Sequence, residues 1–341
     1  MQRERQVRAF TLVELLVVIA IIAVLISLLI GPIMRARRAA LVLACPIATQ
    51  AAGGSSVLVH PHGGAELAVA PPPKMGDTCG PEWSTNGTWI GYTAYIGTNG
   101  ESRTAIVHAM TGKVRTFGYA YGPGNDGSFA GWADDDHFIS VAISSSSSVA
   151  AFFIREATTG RVSETYESAL ARNSGNHSMV FRQVPPGTGA YYIATIPSVY
   201  FKEIGEVLLL RKDFSVRKLV YRSSQDAGVG PMASVDPLGE YAAWSALVWT
   251  ADNSTERIAV KSLKTPSTER PIVLALPDST FIQMSFCDWT EDGNILAMDW
   301  HYYRDSEKLV IISRTGKLLG TVRQDKFPFQ RYASWRKYMH Q

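Results

Sequence analysis

Hydrophobic and polar positions divide the chain into two unequal parts. From Phe10 to Ile30 the sequence is one apolar run that carries a single acid, Glu14. A run without a polar face predicts one long hydrophobic α-helix rather than an amphipathic element of a soluble core. At about 1.5 Å per residue, Phe10 to Met34 extends roughly 37 Å, enough to cross a bilayer core of about 30 Å with some tilt. Gly31-Pro32 marks its kink or end. Beyond about residue 40 the pattern changes to short β-rich runs separated by Gly, Ser, Asn and Asp, which predicts strands joined by tight turns.

Those runs repeat. Trp83-Ser84-Thr85-Asn86-Gly87, Trp132-Ala133-Asp134-Asp135-Asp136, Val235-Asp236-Pro237-Leu238-Gly239 and Trp289-Thr290-Glu291-Asp292-Gly293 each set a large apolar residue before a polar turn and a fresh strand. Thr111-Gly112, Thr159-Gly160 and Thr315-Gly316 begin 28, 27 and 26 residues after Trp83, Trp132 and Trp289, and each supplies the Gly of a tight hairpin. One unit therefore reads as four antiparallel strands, the blade of a β-propeller. Phe181 and the hairpin from Glu206 to Val220 form a less regular fifth unit. Pro46 to Thr49, the hairpin from Ser55 to Val69 and a strand around Trp335 would complete a sixth from both chain ends, which would also bury two exposed edges.

The expected fold class is thus an all-β body, a six-bladed propeller with one blade closed by both termini, preceded by the hydrophobic helix. The expected divisions are 1–9 ahead of the span, 10–40 as a membrane helix and 41–341 as the propeller. Its blades are placed at 41–79 with 331–341, 80–124, 128–172, 176–224, 230–276 and 281–325. Seven blades or a pair of β-sandwiches are the competing arrangements.

Charge narrows the partners. The formal net charge is +3, only 18% of residues are charged, and no basic run of five or more occurs, so nothing points to nucleic acid. The three cysteines, Cys45, Cys79 and Cys287, cannot all pair within one molecule. A Cys45–Cys79 bridge and three separate buried thiols both fit, and no Cys-x-x-Cys spacing suggests zinc.

The acid inside the apolar run needs an explanation, because a carboxylate in hydrocarbon normally has a partner. The order Phe10-Thr11-Leu12-Val13-Glu14-Leu15-Leu16-Val17-Val18-Ile19-Ala20-Ile21-Ile22-Ala23 resembles the amino-terminal signature of type IV prepilins and type II secretion pseudopilins. The resemblance covers roughly the first 40 residues. It implies cleavage between Ala9 and Phe10 by a prepilin peptidase, methylation of Phe10, and an assembly role for Glu14, whose charge would neutralise the amino terminus of a neighbouring subunit. Ala9 stands where that family usually has Gly. The resemblance also implies a single-pass location in a bacterial inner membrane, with the body in the periplasm or at the cell surface. Charge does not set this orientation, because Arg3, Arg5 and Arg8 before the span balance Arg35, Arg37 and Arg38 after it. A plain signal anchor is the competing reading.

The repeat itself is similar to propellers of the TolB type, and Pro81-Glu82-Trp83-Ser84-Thr85-Asn86-Gly87 is its best match to their blade sequence. No catalytic motif is present, and neither a cofactor nor a metal is implied. Asp134-Asp135-Asp136-His137 could hold a cation but occupies a turn position, and His60-Pro61-His62-Gly63-Gly64 reads as a hairpin turn. The regularly spaced tryptophans fit core packing better than a sugar-binding face. Ser144 to Ser148 is a low-complexity loop.

These readings converge on a pilin-like exported membrane protein that is not an enzyme and whose propeller is an interaction module. Its expected partners are the prepilin peptidase, other pilin-like or secretion-system subunits, the membrane through the helix, and a protein or glycan ligand of the propeller. The alternatives are a membrane-tethered propeller enzyme acting on extracellular polysaccharide, and a TolB-like periplasmic scaffold.

Overall fold

The computed structural model describes residues 15–26, 33, 47–50, 57–60, 67–70, 75–96, 101–117, 126–143, 150–168, 180–184, 190–198, 204–224, 227–249, 254–275, 283–299, 307–325 and 333–335. Residues 15–26 are α-helical and apolar at every position, and all ten of their large side chains, from Leu15 to Ile26, are exposed. At about 1.5 Å per residue this stretch is roughly 18 Å long. Among the described residues no helix is long and apolar enough to cross a membrane.

The body is all-β. Strands β1 (Ile47–Gln50), β2 (Val57–His60) and β3 (Leu67–Ala70) form an antiparallel run. Five sheets of four consecutive antiparallel strands follow. The first contains β4 (Met75–Trp83), β5 (Trp89–Ile96), β6 (Glu101–His108) and β7 (Val114–Phe117). The second contains β8 (Asp126–Trp132), β9 (His137–Ile143), β10 (Ala150–Glu156) and β11 (Val162–Ser168). The third contains β12 (Arg182–Val184), β13 (Tyr191–Ile196), β14 (Glu206–Arg211) and β15 (Val216–Arg222). The fourth contains β16 (Ala227–Val235), β17 (Tyr241–Trp249), β18 (Ser254–Ser262) and β19 (Ile272–Val273). The fifth contains β20 (Met284–Trp289), β21 (Ile295–Asp299), β22 (Glu307–Ile312) and β23 (Leu318–Asp325). Near the carboxyl end, β24 (Ala333–Trp335) pairs antiparallel with β1, with Ala48 opposite Ser334.

Successive sheets meet through their first strands: β8 touches β12, β12 touches β16, β16 touches β20, β20 touches β24 and β24 touches β4. The first strands therefore face the centre and β7, β11, β15, β19 and β23 form the rim, which is a propeller. Strand β4 begins at Met75, ahead of the expected boundary at 80, and β16 begins at Ala227, ahead of 230. Both extensions lie before the turn motif, where no Gly or aromatic spacing marks the start of pairing.

Apolar side chains fill the spaces between blades. Trp83, Trp132 and Trp289 are buried, so the repeated tryptophans are core residues and not a sugar-binding face. Trp132 and Trp289 also donate from Nε1 to main-chain oxygens of the preceding blade, Glu82 at 3.0 Å and Ser234 at 3.2 Å. Buried hydroxyls add a second kind of link. Thr93 Oγ1 accepts from the Phe129 amide at 3.0 Å, Ser198 Oγ from Val229 at 3.0 Å and Ser245 Oγ from Phe286 at 2.9 Å. Each satisfies an amide on the inner strand of the next blade and contributes about 0.5–1.5 kcal/mol net.

The hairpin turns show where local preference yields to packing. Gly112, Gly160 and Gly316 occupy the left-handed region, as their turns require. The matching turn of the third blade, Arg211 to Ser215, has Phe214 there instead, with φ 60°. Its ring is buried among Phe152, Phe181 and Tyr192, stacked on Phe152 at 4.7 Å and on Tyr192 at 5.4 Å. Filling the space between two blades offsets a backbone cost of roughly 1–3 kcal/mol. Truncation of Phe214 to Ala is expected to lower stability by about 3–5 kcal/mol in equilibrium urea unfolding, whereas Phe117→Ala at the partly exposed rim costs less.

Candidate functional site

The inner strands bring charge to the centre of the propeller. Glu82 stands just before Trp83 at the end of β4, Asp288 just before Trp289 at the end of β20, and Arg182 opens β12. These strands open the first, fifth and third sheets, and their side chains meet at the centre. Arg182 Nη1 lies 2.9 Å from Asp288 Oδ2, and Arg182 Nε lies 3.4 Å from Glu82 Oε2. All three side chains are buried, at 5%, 0% and 9% exposure respectively. Asp288 Oδ1 accepts from the amide of Trp289 at 2.9 Å, which fixes the carboxylate against its own strand.

Position in the repeat places the two acids alike, while Arg182 follows Phe181, the aromatic of its own unit. The residue before the core tryptophan is Glu82, Gly131 and Asp288 in three blades, and Ser234 stands before Val235 at the matching place in the fourth. Gly131 is required where it stands, because its backbone sits at φ 141° and a Cβ would come within 2.1 Å of the Phe181 carbonyl oxygen. The Phe181 amide donates to the Ala130 carbonyl at 2.6 Å, which draws the second and third blades together and presents Arg182 to both acids.

Electrostatics favours the fully ionised arrangement. Burial pulls the Arg182 guanidinium downward, but the carboxylates of Glu82 and Asp288 outweigh it and hold it above its ordinary value. A guanidinium cannot act as a proton carrier, and both acids accept hydrogen bonds or ion pairs. The cluster is therefore suited to holding blades in place rather than to moving a proton.

The sequence had pointed elsewhere. Ala9, Phe10 and Glu14 lie outside the described residues, as do Pro61, His62 and Ser144 to Ser148. Asp134 is a turn cap: its Oδ1 accepts from the amides of Asp136 at 2.9 Å and His137 at 2.8 Å and pairs with His137 Nδ1 at 2.9 Å. Asp135 links blades by accepting from the Asn86 amide at 2.9 Å, while partial burial raises its carboxyl above the usual range despite that bond. Cys287 is a buried thiol packed with Ile47 and Met298. The central cluster went unnoticed because its members are isolated in sequence. The available signal was an acid directly before the repeated tryptophan in two units.

Residues 5–30 match the prokaryotic N-terminal methylation motif. The chain carries a prepilin-type amino terminus. No curated protein matches the sequence. Among solved structures, a TolB-type protein from Agrobacterium tumefaciens is 14% identical, over 67% of this chain and 82% of that one, with a TM-score of 0.45. The β-propeller domain of the Trilobed protease from Pyrococcus furiosus is 10% identical over 79% of this chain and 74% of that one, with a TM-score of 0.46. Regucalcin from Agrobacterium tumefaciens is 13% identical over 75% and 77%, also with a TM-score of 0.46.

Removing one member of the central cluster should be far worse than removing all three charges. Arg182→Met is expected to cost about 3–5 kcal/mol, because two buried carboxylates lose their counter-charge. The combination Glu82→Gln, Arg182→Met, Asp288→Asn should recover most of that loss. Urea unfolding of both variants beside the parent measures the difference.

Proposed function

We propose that this is a pilin-like exported protein that displays a propeller as an interaction module. The observation that carries the reading is the methylation motif over residues 5–30, joined to a helix that is apolar on every side. A helix of that kind must be covered by lipid or by other apolar helices, because water leaves its whole circumference unfavourably exposed. In this reading a prepilin peptidase removes residues 1–9 after Ala9 and methylates Phe10. Glu14 then neutralises the terminus of an adjacent subunit, and residues 10–40 pack in the inner membrane or in a filament of pilin-like or secretion-system subunits. The body lies in the periplasm or at the cell surface.

We further infer that the ring has six blades, the last made of β24, β1, β2 and β3. Ile47 and Ala48 support this, because adjacent side chains of a strand point to opposite faces. Ile47 packs on Cys287, Leu296 and Leu309 of the fifth blade, while Ala48 packs on Trp83 and Ile90 of the first. A ring closed by both chain ends lets the propeller hang from the helix without opening an edge.

An interaction module fits the centre of the propeller better than an enzyme does. Glu82 and Asp288, the carboxylates that several blades bring together, are both engaged by Arg182 and shielded from water. A scaffold that binds a protein or glycan partner uses the same rigid ring without any turnover.

Intact mass and amino-terminal analysis of the protein from its native membrane tests the export route. A mature chain beginning with N-methyl-Phe10 is expected, retained in Ala9→Gly and lost in Ala9→Leu. An intact Met1 terminus in the parent would overturn the reading.

A further inference from the structure

The rim of the propeller carries two neighbouring blades of opposite charge. Residues 126–168, the second blade, hold two arginines against seven Asp or Glu, a net charge of −5. Residues 180–224, the third blade, hold seven Lys or Arg against three acids, a net charge of +4. Part of each surplus lies on the two outermost strands. On β11, Glu164 and Glu167 are exposed, and on β15 and its turn Lys212, Arg217 and Arg222 are exposed. Arg217 is held in place over the Tyr191 ring at 3.9 Å, and Arg222 pairs with Glu206 while staying 60% exposed.

Both strands are seven residues long and end their sheets, so one edge of each has no strand partner among the described residues. Such edges invite pairing with another molecule, and charge decides which pairings are permitted. Two β11 edges would oppose Glu to Glu, and two β15 edges would oppose Arg to Arg. Of these three pairings, β11 against β15 is the one that brings unlike charges together. We propose that the β11 rim of one copy docks on the β15 rim of a second copy, with Glu164 and Glu167 facing Lys212, Arg217 and Arg222.

This contact is heterologous, using different surfaces on the two copies, so it propagates from subunit to subunit. Because the two rims lie on adjacent blades, successive copies turn about an axis instead of running straight. A ring or a helix results. The inference rests on the reading of the chain as an assembling subunit, since a membrane-confined helix concentrates and orients the copies that a modest ionic contact must hold. Lys218 contributes little, because its ammonium donates to the Leu263 carbonyl at 2.6 Å in the fourth blade.

Carbodiimide cross-linking of the full chain in native membranes, with isotope-labelled and unlabelled copies expressed together, tests the contact. Mixed-isotope links from Glu164 or Glu167 to Lys212 are expected. The double change Glu164→Lys, Glu167→Lys should lower intermolecular cross-linking by about tenfold, as should Arg217→Glu with Arg222→Glu, because rim pairs become repulsive. Co-expression of the two variants should restore it. Absence of mixed links in the parent, insensitivity to both reversals, or failure of restoration would overturn the proposal. The terminus of the same sample separates the two readings: processed Phe10 without links removes only the rim contact, and links with an intact Met1 remove only the export route.

Discussion

A four-stranded blade has two apolar faces, and only a closed ring covers both. The rest of the structure depends on that constraint. Trp132 and Trp289 fill the spaces between blades and bond backward to the preceding inner strand, while Thr93 and Ser245 bond forward to the next. Each blade is thereby tied to both of its neighbours. Ile47 and Ala48 meet the same demand where the chain ends come together, one residue serving each flanking blade. Arg182 reaches beyond nearest neighbours. It pairs with acids on the first and fifth sheets and so ties three sheets together at the centre.

Legibility in the sequence follows the range of the forces involved. The turn motifs beginning at Ser84, Asp236 and Thr290 were readable because each is closed within a few residues: the Gly87, Gly239 and Gly293 amides donate to the carbonyls of those same residues. Glycine hairpins were readable for the same reason. Phe214 was not, because its strained backbone is paid for by rings contributed from Phe152, Phe181 and Tyr192, and nothing in Lys212-Asp213-Phe214-Ser215 announces a left-handed residue. The central cluster was hidden by distance. Asp288 lies 106 residues beyond Arg182, and their meeting depends on the ring being assembled. The amino-terminal motif was readable at once, since a hydrocarbon environment constrains every position of a short segment independently.

The two parts of the molecule divide the work between them. The apolar helix has no polar face with which to meet water, and the propeller has a buried, ion-paired cluster at its centre and a charged rim. In the proposed reading of the propeller as an interaction module, recognition is directed outward, to the edges and faces of the blades, rather than to the centre. A rigid ring suits this role, because the rim strands hold Glu164 and Arg217 at fixed positions without first ordering a loop.

Display of the body outside the cytoplasm, as proposed, is an orientation that the balanced arginines around the apolar segment leave open. Thr158→Cys, in the exposed turn between β10 and β11, provides a reporter. Intact spheroplasts treated with a membrane-impermeant maleimide, with the parent chain as background, decide the matter. Labelling of Cys at this position before lysis is predicted. Labelling that appears only after lysis would place the propeller in the cytoplasm and contradict the account.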